Sequence, residues 1–243
     1  TFVNDGEYAF ADAAVYHPEN ELDPMRRMKS FLDQQFDADG SGGFGGGLNN
    51  TDEEKEQIKA FMQLMYDKVE NNAIQIPPVT DNRDTSTVGF ACEVMSAFQP
   101  AFTMVNLGAV DACHSNFSNY LGALHRADHA VGHLWNHIQS IPEMAGNTTL
   151  ILTPECGRNL QPNNILDQND WRSYDHSDEN SMRIFTMMAG PDVPQGLTIG
   201  GEDNPVGMVT DTMMTVCDIL GVMPEVQSAG MVHPGTDSLF NRI

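Results

Sequence analysis

Three short clusters in this chain carry residue types suited to metal and acid–base chemistry. They are Asp111-Ala-Cys-His114, Thr153-Pro-Glu155-Cys156-Gly157-Arg158-Asn159 and Tyr174-Asp175-His176-Ser177. A carboxylate and two imidazoles converging from separate segments can hold a hard or borderline divalent cation, because such ions take oxygen and imidazole nitrogen together. A lone Asp-x-x-His is weak evidence. Each of these clusters, however, stands beside an apolar run that reads as a strand, and ligands of open α/β sheets gather beyond strand C-termini.

Two further patterns could do chemistry. The loop Asp37-Ala-Asp39-Gly-Ser41-Gly-Gly-Phe-Gly-Gly-Gly-Leu48 resembles the first half of a calcium-binding EF-hand loop. Asp37, Asp39 and Ser41 fall at the first three ligand positions and Gly42 at the turn, but Leu48 stands where a bidentate Glu is needed. A solvated glycine-rich loop is the competing reading. His125, His129, His133 and His137 recur every four residues. Pairs at that spacing share a helix face and can bind metal. The i+4 row drifts round the helix, so the four do not converge. With Leu121, Leu124, Asp128, Val131, Trp135 and Ile138 read as the buried face, these histidines flank it and read as solvated or subunit-contacting.

The elements that must position these residues follow from periodicity. Met25, Met28, Phe31, Leu32 and Phe36 after Asp23-Pro24 predict a helix. Thr51 is a good N-cap for a second, with Asp52, Glu53 and Glu54 favouring its dipole and Ile58, Phe61, Met62, Met65 and Val69 forming its apolar face. Residues 71–87, with Pro77-Pro78 and a polar stretch, read as a connection. From residue 88 the pattern reads as strand–helix–strand. Strands are predicted over Phe102–Val110, Thr148–Leu152 and Met182–Ala189, and helices over Asn116–Ile141 and Thr210–Leu220. That alternation implies an α/β fold, a mostly parallel sheet with helices on both faces. It follows an N-terminal helical region over 1–85 and occupies 86–243.

In order and spacing, the following motifs resemble the C-terminal half of the alkaline phosphatase–sulfatase superfamily. They are Asp111-x-x-His114, Asp128-x-x-Val131-Gly132, Leu152-Thr153-Pro154-Glu155-x-Gly157-Arg158, Asp175-His176 and Thr210-Asp211-x-x-x-Thr215. Within it the chain looks closest to a poorly characterised, often exported, sulfatase-like bacterial group with a Glu-x-Gly-Arg signature. The resemblance implies an alkaline phosphatase-like sheet. It implies one metal held by Asp111, His114 and His176, and a second carried by Glu155 and Cys156. Arg158 is implied to bind an anionic group. Zinc is the first expectation, with calcium, magnesium or manganese as alternatives. In the superfamily the nucleophile comes from the N-terminal half. Residues 1–90 carry no such strand and turn, so no nucleophile is assigned and that half is expected to be missing.

Composition narrows the partners. Twelve Lys+Arg against 34 Asp+Glu give a net charge of −22. Such a surface repels nucleic acid and anionic membranes. No run of about 18 apolar residues exists, so no transmembrane segment is expected. Cys92, Cys113, Cys156 and Cys217 form no C-x-x-C pair; two disulfides and four free thiols both remain open. The fifteen methionines fit core filling.

The functional expectation is a metal-dependent, hydrolase-like protein acting on small or polymer-linked phosphate or sulfate esters, extracellular or periplasmic. The alternative is a non-catalytic, metal-stabilised secreted structural or interaction protein, able to self-assemble. A third reading is a calcium-responsive module over 23–70.

Overall fold

The computed structural model describes residues 51–78, 83–191 and 193–242. The helix expected after Asp23 and the acidic loop with Asp37, Asp39 and Ser41 lie outside the described residues. The chain divides into two units, Thr1–Gln75 and Ile76–Ile243.

In the first unit, α1 runs over Asp52–Glu70. Its start is written locally as a capping box: the Glu54 N–H donates to Thr51 Oγ1 (3.2 Å), while the Thr51 N–H donates to Glu54 Oε2 (2.7 Å). Ile58, Phe61, Met62, Met65 and Val69 are the stripe shielded from solvent, with Met65 buried.

The second unit is built on two helices, α2 (Arg83–Phe98) and α3 (Phe117–Ser140). Val88, Cys92 and Met95 of α2 pack with Ala130, Leu134 and Ile138 of α3, and Met144 closes the core. Val105, Leu107, Trp135, Ile141 and Leu150 pack around it. The α2 helix begins inside the predicted connection. Its polar first turn looks like loop sequence, yet Asp84 and Thr85 are buried. The Asp84 carboxylate accepts from the N–H groups of Gly108 (3.1 Å) and Ala109 (2.9 Å), which offsets the cost of burying it.

The mostly parallel, alkaline phosphatase-like sheet is not what forms. Among the described residues there is one sheet of two short antiparallel strands, β1 (Leu150–Leu152) and β2 (Met187–Ala189), with Leu150 opposite Ala189. A parallel partner needs a long crossover, usually helical. The chain after β1 instead makes an irregular excursion whose one helical piece is a 3-10 turn, Glu179–Met182. The predicted strand over Phe102–Val110 does not form: residues 102–108 carry no regular structure and join no ladder, and a 3-10 turn begins at Ala109. The run's alternation is real: Val105 and Leu107 face the helical core while Phe102 and Met104 are exposed. The inward side chains are covered by helices rather than by a neighbouring strand.

The face of α3 also differs from expectation. Ala123, Ala130, Leu134 and Ile138 are buried, whereas Leu121, Leu124 and Asp128 are exposed. Of the six residues read as its buried face, only Ile138 is buried. Ala130 sits in the contact with α2 and Ala123 is also buried, and a search for large apolar residues passes over both.

After β2 come α4 (Asp211–Ile219) and α5 (Met223–Ser228). Asp211 is fully buried and gathers the C-terminal segment. Its Oδ1 accepts from the Asp237 N–H (2.9 Å) and Arg242 Nη2 (3.0 Å), and its Oδ2 accepts from the Met208 N–H (2.8 Å). A Cβ at Gly207 would sit 2.9 Å from Asp211 Oδ2, so only glycine fits there without displacement.

Among the described residues no helix is long and apolar enough to cross a membrane. All four cysteines are free thiols, so of the two alternatives left open the unbridged one holds.

Candidate metal centre

The segment from Ala109 to His114 is a 3-10 turn. With three residues per turn, side chains at i and i+3 eclipse. Asp111 and His114 are therefore stacked on one side, with His114 Nε2 at 3.3 Å from Asp111 Oδ1. Each brings a ligand atom to a group completed by His176, all lying within 4.8 Å of one another. The His114 and His176 rings meet edge to face at 4.6 Å.

His176 arrives on a loop with little regular structure, held by a set of polar contacts. The Tyr174 N–H donates to the Cys113 carbonyl (3.0 Å), directly beneath the turn. Asn159 Oδ1 accepts from the N–H groups of Ser177 (2.6 Å) and Asp178 (2.9 Å). Asn163 Nδ2 donates to the His114 carbonyl (3.0 Å). Phe117 stacks against Trp171 and Tyr174 at 5.7 and 5.6 Å, tying the start of α3 to the same loop.

Asp175 was not among the expected ligands, and it orients one of them. His114 Nδ1 lies 2.9 Å from Asp175 Oδ1. The bond to His114, and a second to Asn163, hold the Asp175 carboxyl below the usual carboxylate range. Ionised, it can only accept, so Nδ1 carries the proton. In the neutral imidazole, Nε2 then presents a lone pair to the Asp111 carboxylate at 3.3 Å. Two acceptors at that distance need a proton or a cation between them. Two ligand atoms each about 2.1 Å from a tetrahedral zinc ion are themselves about 3.4 Å apart. The Asp111–His114 pair has that spacing, while the three-residue group as a whole spreads to within 4.8 Å, so His176 would have to draw inward to complete a tetrahedral set; Asp175 is the carboxylate placed to fix the His114 tautomer. Sequence marked Asp175 only as the carboxylate next to His176; that it reaches His114, 61 positions away, was not legible there. No local signal marked Asn159 or Asn163.

Arg158 stands beside the group. Its Nη2 donates to the Val110 carbonyl (3.1 Å) and lies 3.5 Å from Asp111 Oδ1. Its guanidinium sits 5.8 Å from the Tyr120 ring centroid. Nη1 is buried without a partner among the described residues. Gly157 allows this placement: a Cβ there would lie 2.6 Å from the Arg183 carbonyl. Glu155 is exposed and Cys156 half-buried; neither is brought into the group, and among the described residues they complete no second one. Beneath the turn Cys113 is fully buried, which pushes its thiol up, and it is not one of the three residues brought together.

No protein-family model, no curated protein and no solved structure matches the chain. The class of protein is accordingly set by its chemistry: a small helical unit with a carboxylate–imidazole cluster at its surface.

Proposed function

We propose that the protein binds a divalent metal ion, zinc first, through Asp111, His114 and His176, and acts on an anionic phosphate or sulfate ester. The observation that carries this is the approach of His114 Nε2 to Asp111 Oδ1 while Nδ1 is committed to Asp175. A bound ion would supply Lewis-acid polarisation of the ester. The chain's own residues would hold and orient the centre and the ester's charge. Asp175 keeps the His114 proton on Nδ1 and the ring in place. Arg158 sets a fixed positive charge beside the centre, suited to an oxyanion. The Phe117 ring meets those of Tyr120 and Tyr174 at 5.6 Å, and Tyr120 lies beside Arg158. A net charge of −22 repels anionic substrates at long range, so Arg158 acts at contact distance.

A second reading has its own observation: the ligands join a 3-10 turn to a loop fastened mainly by side-chain-to-backbone bonds, where a bound ion would serve as a clasp. The test measures bound metal by elemental analysis, and turnover of aryl phosphate and aryl sulfate esters, for the unaltered protein and His114→Ala. Stoichiometric metal and turnover, both lost in His114→Ala, are expected. Metal without turnover, with a melting temperature that drops on chelation, selects the clasp. No bound metal in the unaltered protein sinks both.

A further inference from the structure

The four histidines of α3 separate into different environments. His137 bridges the two core helices: its Nε2 lies 3.0 Å from the Cys92 carbonyl and 2.9 Å from Ser96 Oγ. His133 is half-buried in a cleft of about 540 Å³ that His129, Asp128, Trp135 and Asn136 also line. His125 and His129 are both exposed, with ring centroids 4.6 Å apart and planes at 76°. Among the described residues neither of these two rings has a hydrogen-bond partner.

We propose that His125 and His129 form a second metal site, a two-imidazole chelate for a borderline divalent ion, separate from the Asp111 centre. One helical turn sets the pair: residues i and i+4 stand one above the other on the same face. Imidazole nitrogen suits copper, nickel and zinc over calcium or magnesium, and among these divalent ions Cu2+ binds nitrogen sites tightest. Two protein ligands on an exposed face leave the remaining coordination positions to solvent. The rigid helix holds the second imidazole at a high effective concentration once the first is bound, so either histidine alone binds far more weakly. The surrounding −22 net charge favours the incoming cation. Mid-helix placement makes the pair independent of the loop that carries His176.

The test uses the full chain carrying Asp111→Ala/His114→Ala, which removes the first centre, titrated with Cu2+ alone by calorimetry. One equivalent is expected to bind. Adding His125→Ala or His129→Ala should weaken binding about tenfold or more, while His233→Ala should leave it unchanged. Equal binding across these variants, or none in the starting chain, overturns the proposal. A second measurement uses the unaltered protein: diethylpyrocarbonate modification mapped by peptide mass, with and without Cu2+. Protection at His125 and His129 is expected; modification of both at an unchanged rate overturns it.

Discussion

Asp175 and Asp167 show how single carboxylates decide this structure. Asp175 touches no expected substrate, yet it fixes the tautomer of His114 through a 2.9 Å bond. Partners of this kind typically cost 10–100-fold in metal affinity when removed, on the order of a few kcal/mol at most. Asp175→Asn is therefore expected to weaken zinc binding by about that factor, read by competition with a chromophoric chelator, with little change in helix content. Asp167 fastens the loop to the first turn of α3. It accepts from the Ser118 N–H (2.7 Å) and Oγ (2.6 Å) and from the N–H groups of Asn169 (2.8 Å) and Trp171 (3.1 Å). Burial opposes its ionisation, but the hydrogen bonds outweigh burial and hold the carboxyl at about 2. A folded-state value below the unfolded one, about 3.9, contributes stability above that pH and loses it as pH falls towards the folded value. The unaltered protein should lose stability between about pH 4 and pH 2 more steeply than Asp167→Asn, measured by urea unfolding at each pH.

At the scale of elements, α3 gives the sharpest expectation. Ala130 is fully buried against α2, while Leu124 is half exposed. Overfilling a packed helix contact costs about 1–3 kcal/mol, whereas an exposed substitution stays within about 0.5 kcal/mol. Ala130→Leu should therefore destabilise by about 2 kcal/mol and Leu124→Gln should be near neutral, by denaturant melts. The opposite order would restore the face that large apolar residues suggested. The element ends were legible from sequence where the deciding bonds are local. Thr51 with Glu54 starts α1, and the Asn119 N–H donates to Asn116 Oδ1 (2.8 Å) at the start of α3. The start of α2 was not legible, because Asp84 is satisfied by Gly108 and Ala109, more than twenty positions away.

For the whole molecule, the excess of acidic groups should weaken the compact state by self-repulsion. Raising ionic strength from about 0.01 to about 0.15 M shortens the screening length from about 30 to about 8 Å. The melting temperature in a calorimetric scan should rise with that change. A fall would mean that pairs weakened by salt, such as Arg242 with Asp211 at 2.7 Å, outweigh the general repulsion.

By itself the sequence determined what depends on neighbours within a turn or two. This covers the cap of α1, the start of α3, the Asp111-x-x-His114 spacing, the four-residue histidine row and the strong net negative charge. The two strands β1 and β2 also fall inside runs predicted as strands. Tertiary structure decided the rest: that these strands pair antiparallel, that Val105 and Leu107 pack on the helical core, and that Ala130 lies in the contact between α3 and α2. It also decided that His114 meets Asp175 across 61 positions. The reason is physical. A hydrogen bond spanning three residues is set by local backbone geometry, whereas a contact spanning sixty depends on which surfaces remain to be covered once every other element has packed.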